Sequence, residues 1–314
     1  MKPEQGAERE PKINLKFFFA AHTKPADWEK LAELIEKADI YAVESWGLEK
    51  EQHEEYNRVS LGEVSPSEAE SRIGGLDARV RKEFEAIYNS RKPVVFVDVP
   101  AGHPLNEESS AVWKLRKLAI DRFKSGEFES AAAKERAFIE GYRGFQEERE
   151  EYVRSEIKNL VEKLKSDREF KNKSEINVLV RFGVAHIGLS RSSYGEGVES
   201  AAVFGDLPYV FSFGGEAFRR LSFKGSMPEE LLARSLMEEV LARKLNNFAD
   251  STQILVKVLR RIISKLTIDD IREISLAMGR GEDVVSAIEA RGVKVPKSKE
   301  EMEEMAGKTK AKAL

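Results

Sequence analysis

Four short apolar runs, separated by longer amphipathic stretches, constrain the fold of this chain more than any other feature of its sequence. The runs cover residues 13–21, 40–43, 94–97 and 176–182, and each is followed by a turn or a polar residue. Continuous apolar runs of this length are typical of buried parallel strands, and the stretches between them have helical spacing. The sequence therefore predicts an α/β fold with a mainly parallel sheet flanked by helices.

The first two runs form a predicted βαβ unit. A turn at residues 24–27 leads into a helix with apolar residues at helical spacing, and the run at 40–43 follows. Right-handed crossovers of this kind commonly place the two strands side by side, about 4.8 Å apart. We therefore expect His22 and Glu44, which end the two strands, to lie in one crevice. An intervening strand would separate them by about 10 Å.

Polar side chains with versatile chemistry directly follow the predicted strands. His22 and Glu44 end the first two strands, Asp98 ends the third, and His186 follows the fourth after a Gly-Val-Ala turn. In open α/β sheets, ligands bind beyond the carboxyl ends of the parallel strands, so these side chains are candidates for one site. His103, in the turn-rich loop after Asp98, is a secondary candidate.

An arginine interrupts the apolar stripe of the long helix predicted over residues 130–165. Its spacing places Arg149 in line with Phe145 and Tyr152 on the core-facing side. An unpaired buried guanidinium is too costly to tolerate, so Arg149 needs carboxylates or an anionic ligand. Two interpretations stay open: a structural pair with a residue such as Asp98, and a functional site in which Arg149 holds charge.

Composition excludes several classes of protein. The chain has no cysteine, which excludes disulfides, thiolate metal sites and cysteine nucleophiles. Its 52 basic and 55 acidic residues are mixed along the sequence, which argues against a nucleic-acid partner. No stretch approaches the roughly 20 apolar residues of a membrane span, and the polar amino terminus lacks a secretory signal, so we expect a cytoplasmic location. A charged fraction of 34% is typical of thermophile proteins.

The predicted domain organisation has four parts. They are a flexible tail over residues 1–12, an α/β core over 13–225, a helical module over 226–292 and a disordered charged tail over 293–314. Within the core, residues 208–213 are expected to add an edge strand. The helix LVKVLRRIISKL is apolar on one side and cationic on the other. We expect it to cover the core, and the alternative is docking of a protein partner, a second copy of the chain or a membrane surface.

Taken in order, these segments resemble the TraB/PrgY group, within a superfamily that includes Tiki-type proteases, GumN-like proteins, ChaN-like haem-binding proteins and erythromycin esterases. The resemblance is distributed over much of residues 13–190. AAHTKPADWEKLAELIEKADIYAVE is similar to the block in which a Gly-x-x-His strand end precedes a strand ending in Val-Glu, and VVFVDVP to the block ending in Ile-Asp-Arg. EREEYV is similar to a helical Glu-Arg-Asp motif, and GVAHIG to a second Gly-x-x-His motif. The matching positions are His22, Glu44, Asp98, Arg149, Glu150 and His186.

Three positions depart from the pattern of the family. Phe19 stands where the first motif has glycine, Val99 where an arginine follows the aspartate, and Glu150 where aspartate is usual. The family's membrane-spanning carboxyl-terminal region has no counterpart, because ILVKVLRRIISKL is interrupted by cations and is too short to span. The side chain of Phe19 would either block a substrate or pack in the sheet, so the resemblance is compatible with an enzyme and with a relative that has lost catalysis.

The resemblance implies a hydrolase that cleaves an ester or peptide bond in a small-molecule or peptide substrate, and two mechanisms stay open. In a metal-free mechanism, His22 or His186 is the general base, Glu44 orients it or is a second base, and Arg149 stabilises an oxyanion or a substrate carboxylate. In a metal-dependent mechanism, His22, Glu44 and His186 hold a divalent Mn, Co or Zn ion whose bound water attacks the substrate.

The alternative is a non-catalytic protein that binds haem or a metal, or that acts through regulatory interactions. An open crevice with the two histidines and Glu44 within about 8 Å of each other would favour hydrolysis. A crevice filled by Phe19 or another side chain would favour binding.

Overall fold

The computed structural model describes residues 10–20, 25–73, 78–170, 172–205, 211–223, 225–249 and 252–307. The chain forms two compact units. Unit 1 comprises residues 1–106 and 147–207, and unit 2 comprises 107–146 and 208–314. The expected boundary near residue 225 is therefore wrong. Unit 2 is also larger than the helical module expected over residues 226–292. The helical stretch 107–146 belongs to unit 2 although it lies between two segments of unit 1 in the sequence.

Unit 1 contains a five-stranded sheet in which every pair of neighbouring strands is parallel. This arrangement confirms the predicted α/β class. The strand order is β3-β2-β4-β1-β5. The strands are β1 (Lys12–Ala20), β2 (Ile40–Val43), β3 (Val94–Phe96), β4 (Glu175–Gly183) and β5 (Val198–Phe204).

The predicted adjacency of the first two strands is wrong, because β4 lies between β1 and β2. Residues Val178 to Phe182 of β4 are all buried, as a central strand covered on both faces requires. The carboxyl end of β4 is consequently flanked by those of β1 and β2. His186, which follows β4, is thus nearer in the sheet to both strand ends than they are to each other.

The sequence did not predict the edge strand β5, and it misplaced another. Most residues of β5 are exposed or half-buried, so the segment lacks the apolar run that identifies the other strands. The strand pairs with β1 from Ile13 opposite Val198 to Phe19 opposite Phe204. Of the edge strand expected over 208–213, residues 208–210 lie outside the described residues, and Phe213 begins a helix.

Helices cover both faces of the sheet in unit 1. On one face, Leu31 and Ile35 of one helix and Phe84 and Ile87 of another pack on Tyr41. The other face packs against a long helix. The helices are α1 (Pro25–Lys37), α2 (Lys50–Leu61), α3 (Pro66–Ile73), α4 (Ala78–Ser90) and α6 (Phe128–Ser166), the last of which begins in unit 2 and ends in unit 1. The two layers place the carboxyl half of α6 over the sheet.

Unit 2 is built from helices around one apolar core. The apolar side of the LVKVLRRIISKL helix is buried, with Val258 and Ile263 fully so, and this helix covers the core of unit 2. No described helix is long and apolar enough to cross a membrane. Besides the first part of α6, the helices are α5 (Pro104–Lys124), α7 (Phe213–Ser222), α8 (Glu229–Leu245), α9 (Thr252–Ile263), α10 (Ile268–Gly279), α11 (Val284–Glu289) and α12 (Lys299–Ala306).

The expected disordered tail over 293–314 is wrong for its central part, where α12 forms. Ser298 caps this helix by accepting a hydrogen bond from the backbone N–H of Glu301. Met302 on the inner face is fully buried in the core of unit 2, and the partly buried Met305 packs against the same core. One buried anchor therefore holds a segment whose average composition is that of a solvated tail. Residues 308–314 lie outside the described residues.

Candidate active site

Arg149 lies at the centre of a group of charged side chains at the carboxyl end of the sheet in unit 1. Its Nε donates a hydrogen bond to Asp98 Oδ1 over 2.9 Å, and its Nη2 donates to Asp98 Oδ2 over 2.5 Å. Nη2 also donates to Glu44 Oε1 over 2.9 Å. The predicted need of Arg149 for carboxylates is met by these two residues. We refer to Glu44, Asp98, Arg149, Glu150 and His186 as the Arg149 cluster.

Three neighbouring strands bring the strand-end residues of the cluster together at the carboxyl end of the sheet. Glu44 directly follows β2, Asp98 lies two residues beyond β3, and His186 lies three residues beyond β4. These strands are consecutive in the order β3-β2-β4 and all run in the same direction. The side chains that follow them therefore meet, and α6 brings Arg149 and Glu150 over the same edge.

Backbone amides fix the two carboxylates that hold the guanidinium. Asp98 Oδ1 accepts a hydrogen bond from the N–H of Val99 over 2.8 Å, and Asp98 Oδ2 accepts one from the N–H of Ser45 over 3.2 Å. Glu44 Oε2 accepts one from the N–H of Gly183 over 2.9 Å. The ends of β2, β3 and β4 are thereby joined, and the two carboxylates are positioned before any ligand binds.

The tautomer of His186 follows from its neighbours. Its Nε2 lies 3.1 Å from Arg149 Nη1, and a guanidinium can only donate, so Nε2 accepts. The ring proton then belongs on Nδ1, which lies 3.3 Å from Glu150 Oε1. The backbone of His186 has φ −98° and ψ 20°, a sparsely populated region that is frequent in active sites. The imidazole thus lies between the guanidinium and Glu150, the third carboxylate of the cluster, although its Nδ1 forms no hydrogen bond with the described residues.

The cluster is mostly closed to solvent. Arg149 is 6% exposed, Asp98 4% and His186 3%, whereas the side chains of Glu44 and Glu150 are 21% and 18% exposed. Burial acts to lower the pKa of Arg149, but its hydrogen bonds to Asp98 and the charges of Asp98 and Glu44 outweigh that effect and raise the pKa above its ordinary value. Arg149 therefore stays charged, and Glu44 is the more exposed of the two carboxylates that contact it.

Several residues that support the cluster have no obvious signal in the sequence. The ring of Trp46 lies 4.8 Å from the Arg149 guanidinium carbon, within the range of a cation–π interaction. A Cβ on Gly188 would lie 3.0 Å from Glu150 Oε2, so the glycine allows this carboxylate to approach. Gly183 was findable, because it is the first residue of the Gly-x-x-His motif that ends in His186.

Two predicted histidines do not contribute described contacts to the cluster. His22 lies outside the described residues. His103 Nδ1 accepts a hydrogen bond from the N–H of Leu105 over 3.3 Å, and its ring contacts that of Tyr152 at 5.1 Å. Among the described residues, no hydrogen bond or ring contact joins His103 to the cluster. His103 helps to start α5, which is a sufficient role for a polar residue after a strand.

The fully buried Phe19 packs in the sheet. Its ring contacts those of Phe17 at 6.1 Å and Phe204 at 5.8 Å, in the core between the sheet and α6. Of the two roles expected for this residue, packing is the one these contacts support. Glu44 Oε1 and His186 Nε2 lie 3.9 Å apart, and the guanidinium of Arg149, rather than Phe19, contacts both.

The described residues do not fit a divalent metal. Glu44 Oε1 and His186 Nε2, the atoms that would face a metal, both face the guanidinium of Arg149. Within the described ranges, no group of three or more His, Asp and Glu side chains could hold a metal ion. The cation beside these two atoms is therefore the guanidinium of the chain itself.

The fold and the cluster together define an α/β protein with a preorganised charge network at the carboxyl edge of a parallel sheet. No family model, curated protein or solved structure matches this chain. The resemblance to the TraB/PrgY group therefore stays a prediction.

Proposed function

We propose that unit 1 is a hydrolase that cleaves an ester or peptide bond at the Arg149 cluster. The observation that carries this proposal is the convergence of Glu44, Asp98 and His186, from three adjacent strand ends, on one buried guanidinium. Ligands of open parallel sheets bind at this edge.

Glu44 is the general base in the proposed reaction. It is the most exposed member of the cluster, and one of its oxygens is held by the N–H of Gly183 while the other receives a hydrogen bond from Arg149. A water molecule in contact with this carboxylate would give a proton to Glu44 and attack the substrate carbonyl carbon. The resulting tetrahedral intermediate would then break its bond to the alcohol or amine, and the leaving group would take up the proton from Glu44. Because two hydrogen bonds fix the Glu44 carboxylate, the water that it activates would attack from a fixed position.

Arg149 supplies positive charge beside the reacting carbonyl. Asp98 binds the guanidinium through both oxygens and fixes its plane, and His186, which lies beside Glu150, contacts the remaining side. A cation fixed in a water-poor site stabilises a developing oxyanion at little reorganisation cost. Asp98, His186 and Glu150 are positioning residues in this mechanism.

A second candidate is a binding protein that keeps the fold without hydrolysis. The observation in its favour is the closure of the cluster, because the guanidinium contacts both Glu44 and His186 and Arg149 is only 6% exposed. A ligand with a carboxylate or phosphate would compete with Glu44 for Arg149. In the proposed hydrolase, the substrate would also have to compete with Glu44 for Arg149. The two candidate functions therefore share one binding site and differ in whether the bound molecule is hydrolysed.

The proposal is tested by screening ester and peptide substrates with the wild-type chain and with Glu44→Gln. We expect at least about a 100-fold loss of kcat in the variant, as for removal of a general base. Glu196→Gln changes an exposed carboxylate of the same unit and serves as the matched control. Unchanged turnover in Glu44→Gln would contradict the assigned base.

The mechanism is then examined with His22→Ala and with metal analysis. Turnover that survives chelation and the His22 substitution supports the metal-free mechanism. Turnover that is lost on chelation and restored by a divalent ion supports the metal-dependent one. Binding of an anionic ligand with no turnover of any substrate supports the second candidate.

A further inference from the structure

A groove of about 410 Å³ lies at the amino ends of β1, β4 and β5, at the opposite end of the strands from the Arg149 cluster. It opens on the face of the sheet that α1 covers only in part. The groove shares no residue with the cluster. Its volume is within the range of sites that bind small molecules.

The acidic side chains of this groove are already paired within the protein. Lys12 Nζ lies 2.7 Å from Glu199 Oε1, and this contact raises the pKa of Lys12. Asn14 Nδ2 donates hydrogen bonds to Glu175 Oε2 over 3.3 Å and to Asn177 Oδ1 over 3.2 Å. These contacts leave the amide donors of Asn177 facing an open groove.

Two lysines of the groove have no such pairing. Lys16 and Lys37 both line it and are exposed. Neither takes part in a hydrogen bond or ion pair with any other described residue. The strand register explains this for Lys16, whose partners are Leu179 on β4 and Ala201 on β5. No carboxylate stands beside it in the sheet, so two ammonium groups remain available to a ligand.

We propose that this groove binds a small organic phosphate monoester. The phosphate lies between Lys16 and Lys37, whose two charges match its charge of nearly −2. Asn177 donates a hydrogen bond to the same head group, and the apolar body of the ligand packs on the half-buried Leu34. The apolar side chain of Leu34 and the pairing of the nearby acids favour an ester with a short body over free phosphate.

The test uses phenyl phosphate as the probe and the full chain, with binding measured by isothermal titration calorimetry. We expect saturable binding to the wild type and at least about a tenfold weaker affinity in Lys16→Ala and in Lys37→Ala, since each removes a charge-assisted contact. Lys50→Ala, on an exposed lysine paired with Glu54, is the matched control and should bind as the wild type does. Both groove lysines are exposed, so the variants are expected to fold.

Two further ligands separate the head group from the body. Phenol, which lacks the charge, should not compete with phenyl phosphate, and inorganic phosphate should compete only weakly. Raising the salt concentration should weaken binding, because exposed charges are screened. The proposal is overturned if phenyl phosphate shows no saturable binding, if phenol binds equally well, or if the two lysine variants keep wild-type affinity.

Discussion

The buried carboxyl of Glu238 in unit 2 should make the stability of the protein depend on pH. Glu238 is 6% exposed, and its Oε2 accepts hydrogen bonds from the N–H groups of Phe213 and Gly214 at the start of α7. Its Oε1 has no hydrogen-bond partner among the described residues. Burial raises the pKa of Glu238 from 4.5 to about 7, although the two N–H groups and the charges of Arg260 and Arg116 oppose the shift.

The direction of the pH dependence follows from the higher pKa of Glu238 in the folded state. The folded state binds the proton of Glu238 more tightly than the unfolded state does, so the free energy of unfolding falls as pH rises from about 4.5 to about 7. Above pH 8 the carboxyl is ionised in both states and the penalty is complete. A shift of about 2.5 units corresponds to about 3 kcal/mol. Below pH 4.5 the group is protonated in both states and contributes nothing.

Glu238→Gln removes the ionisation and keeps an oxygen that can accept from α7. We expect the variant to be more stable than the wild type by up to about 3 kcal/mol at pH 8, and by less than about 1 kcal/mol at pH 5. Urea denaturation followed by circular dichroism measures both values. Glu239→Gln is the control, because its side chain is 35% exposed and it contacts Arg116 at 3.5 Å. A stability difference for Glu238→Gln that does not change between pH 5 and pH 8 would refute the reasoning.

Two further predictions concern packing. Met302→Ala should lower the free energy of unfolding by about 2–5 kcal/mol, because Met302 is fully buried. Met305→Ala, which changes a half-buried residue on the next turn of α12, should lower it by less. Equal effects of the two substitutions would contradict the role of Met302 as the main anchor of α12. Gly188→Ala should displace the Glu150 carboxylate, which would lie 3.0 Å from the new Cβ, and shift the NMR signals of the His186 ring. Gly144→Ala is the control, because a Cβ there meets nothing within 4 Å, and it should instead stabilise α6 by about 0.5–1 kcal/mol. Unchanged NMR signals of the His186 ring in Gly188→Ala would contradict the close approach of Glu150 to Gly188.

The sequence predicted the components of the Arg149 cluster better than it predicted the sheet that joins them. The position of Arg149 on an apolar stripe required carboxylate partners, because the cost of burying a charge does not depend on the details of the fold. The order of the strands could not be obtained in the same way. β1, β2 and β4 are equally apolar, and nothing local specifies which of them pair.

Errors at the margins of the fold have related causes. β5 was missed because an edge strand with most of its side chains exposed has no apolar run. α12 has the composition of a disordered tail because six of its eight residues are polar or small, and the packing of its two methionines outweighs them only in the folded state. His103 was proposed for the site because a histidine after a strand can serve a ligand or start a helix, and the two roles have the same sequence pattern.

Substitutions of Arg149 separate a structural cluster from a catalytic one. Arg149→Met leaves Asp98 and Glu44 without their cation and should cost about 3–5 kcal/mol of stability. Arg149→Lys keeps the charge and should cost less, but one ammonium cannot bind both oxygens of Asp98 while contacting Glu44 and His186. If the cluster catalyses hydrolysis as proposed, the lysine variant loses turnover although it stays folded. If it keeps wild-type turnover while the methionine variant unfolds, the cluster stabilises the sheet edge and the catalytic centre lies elsewhere.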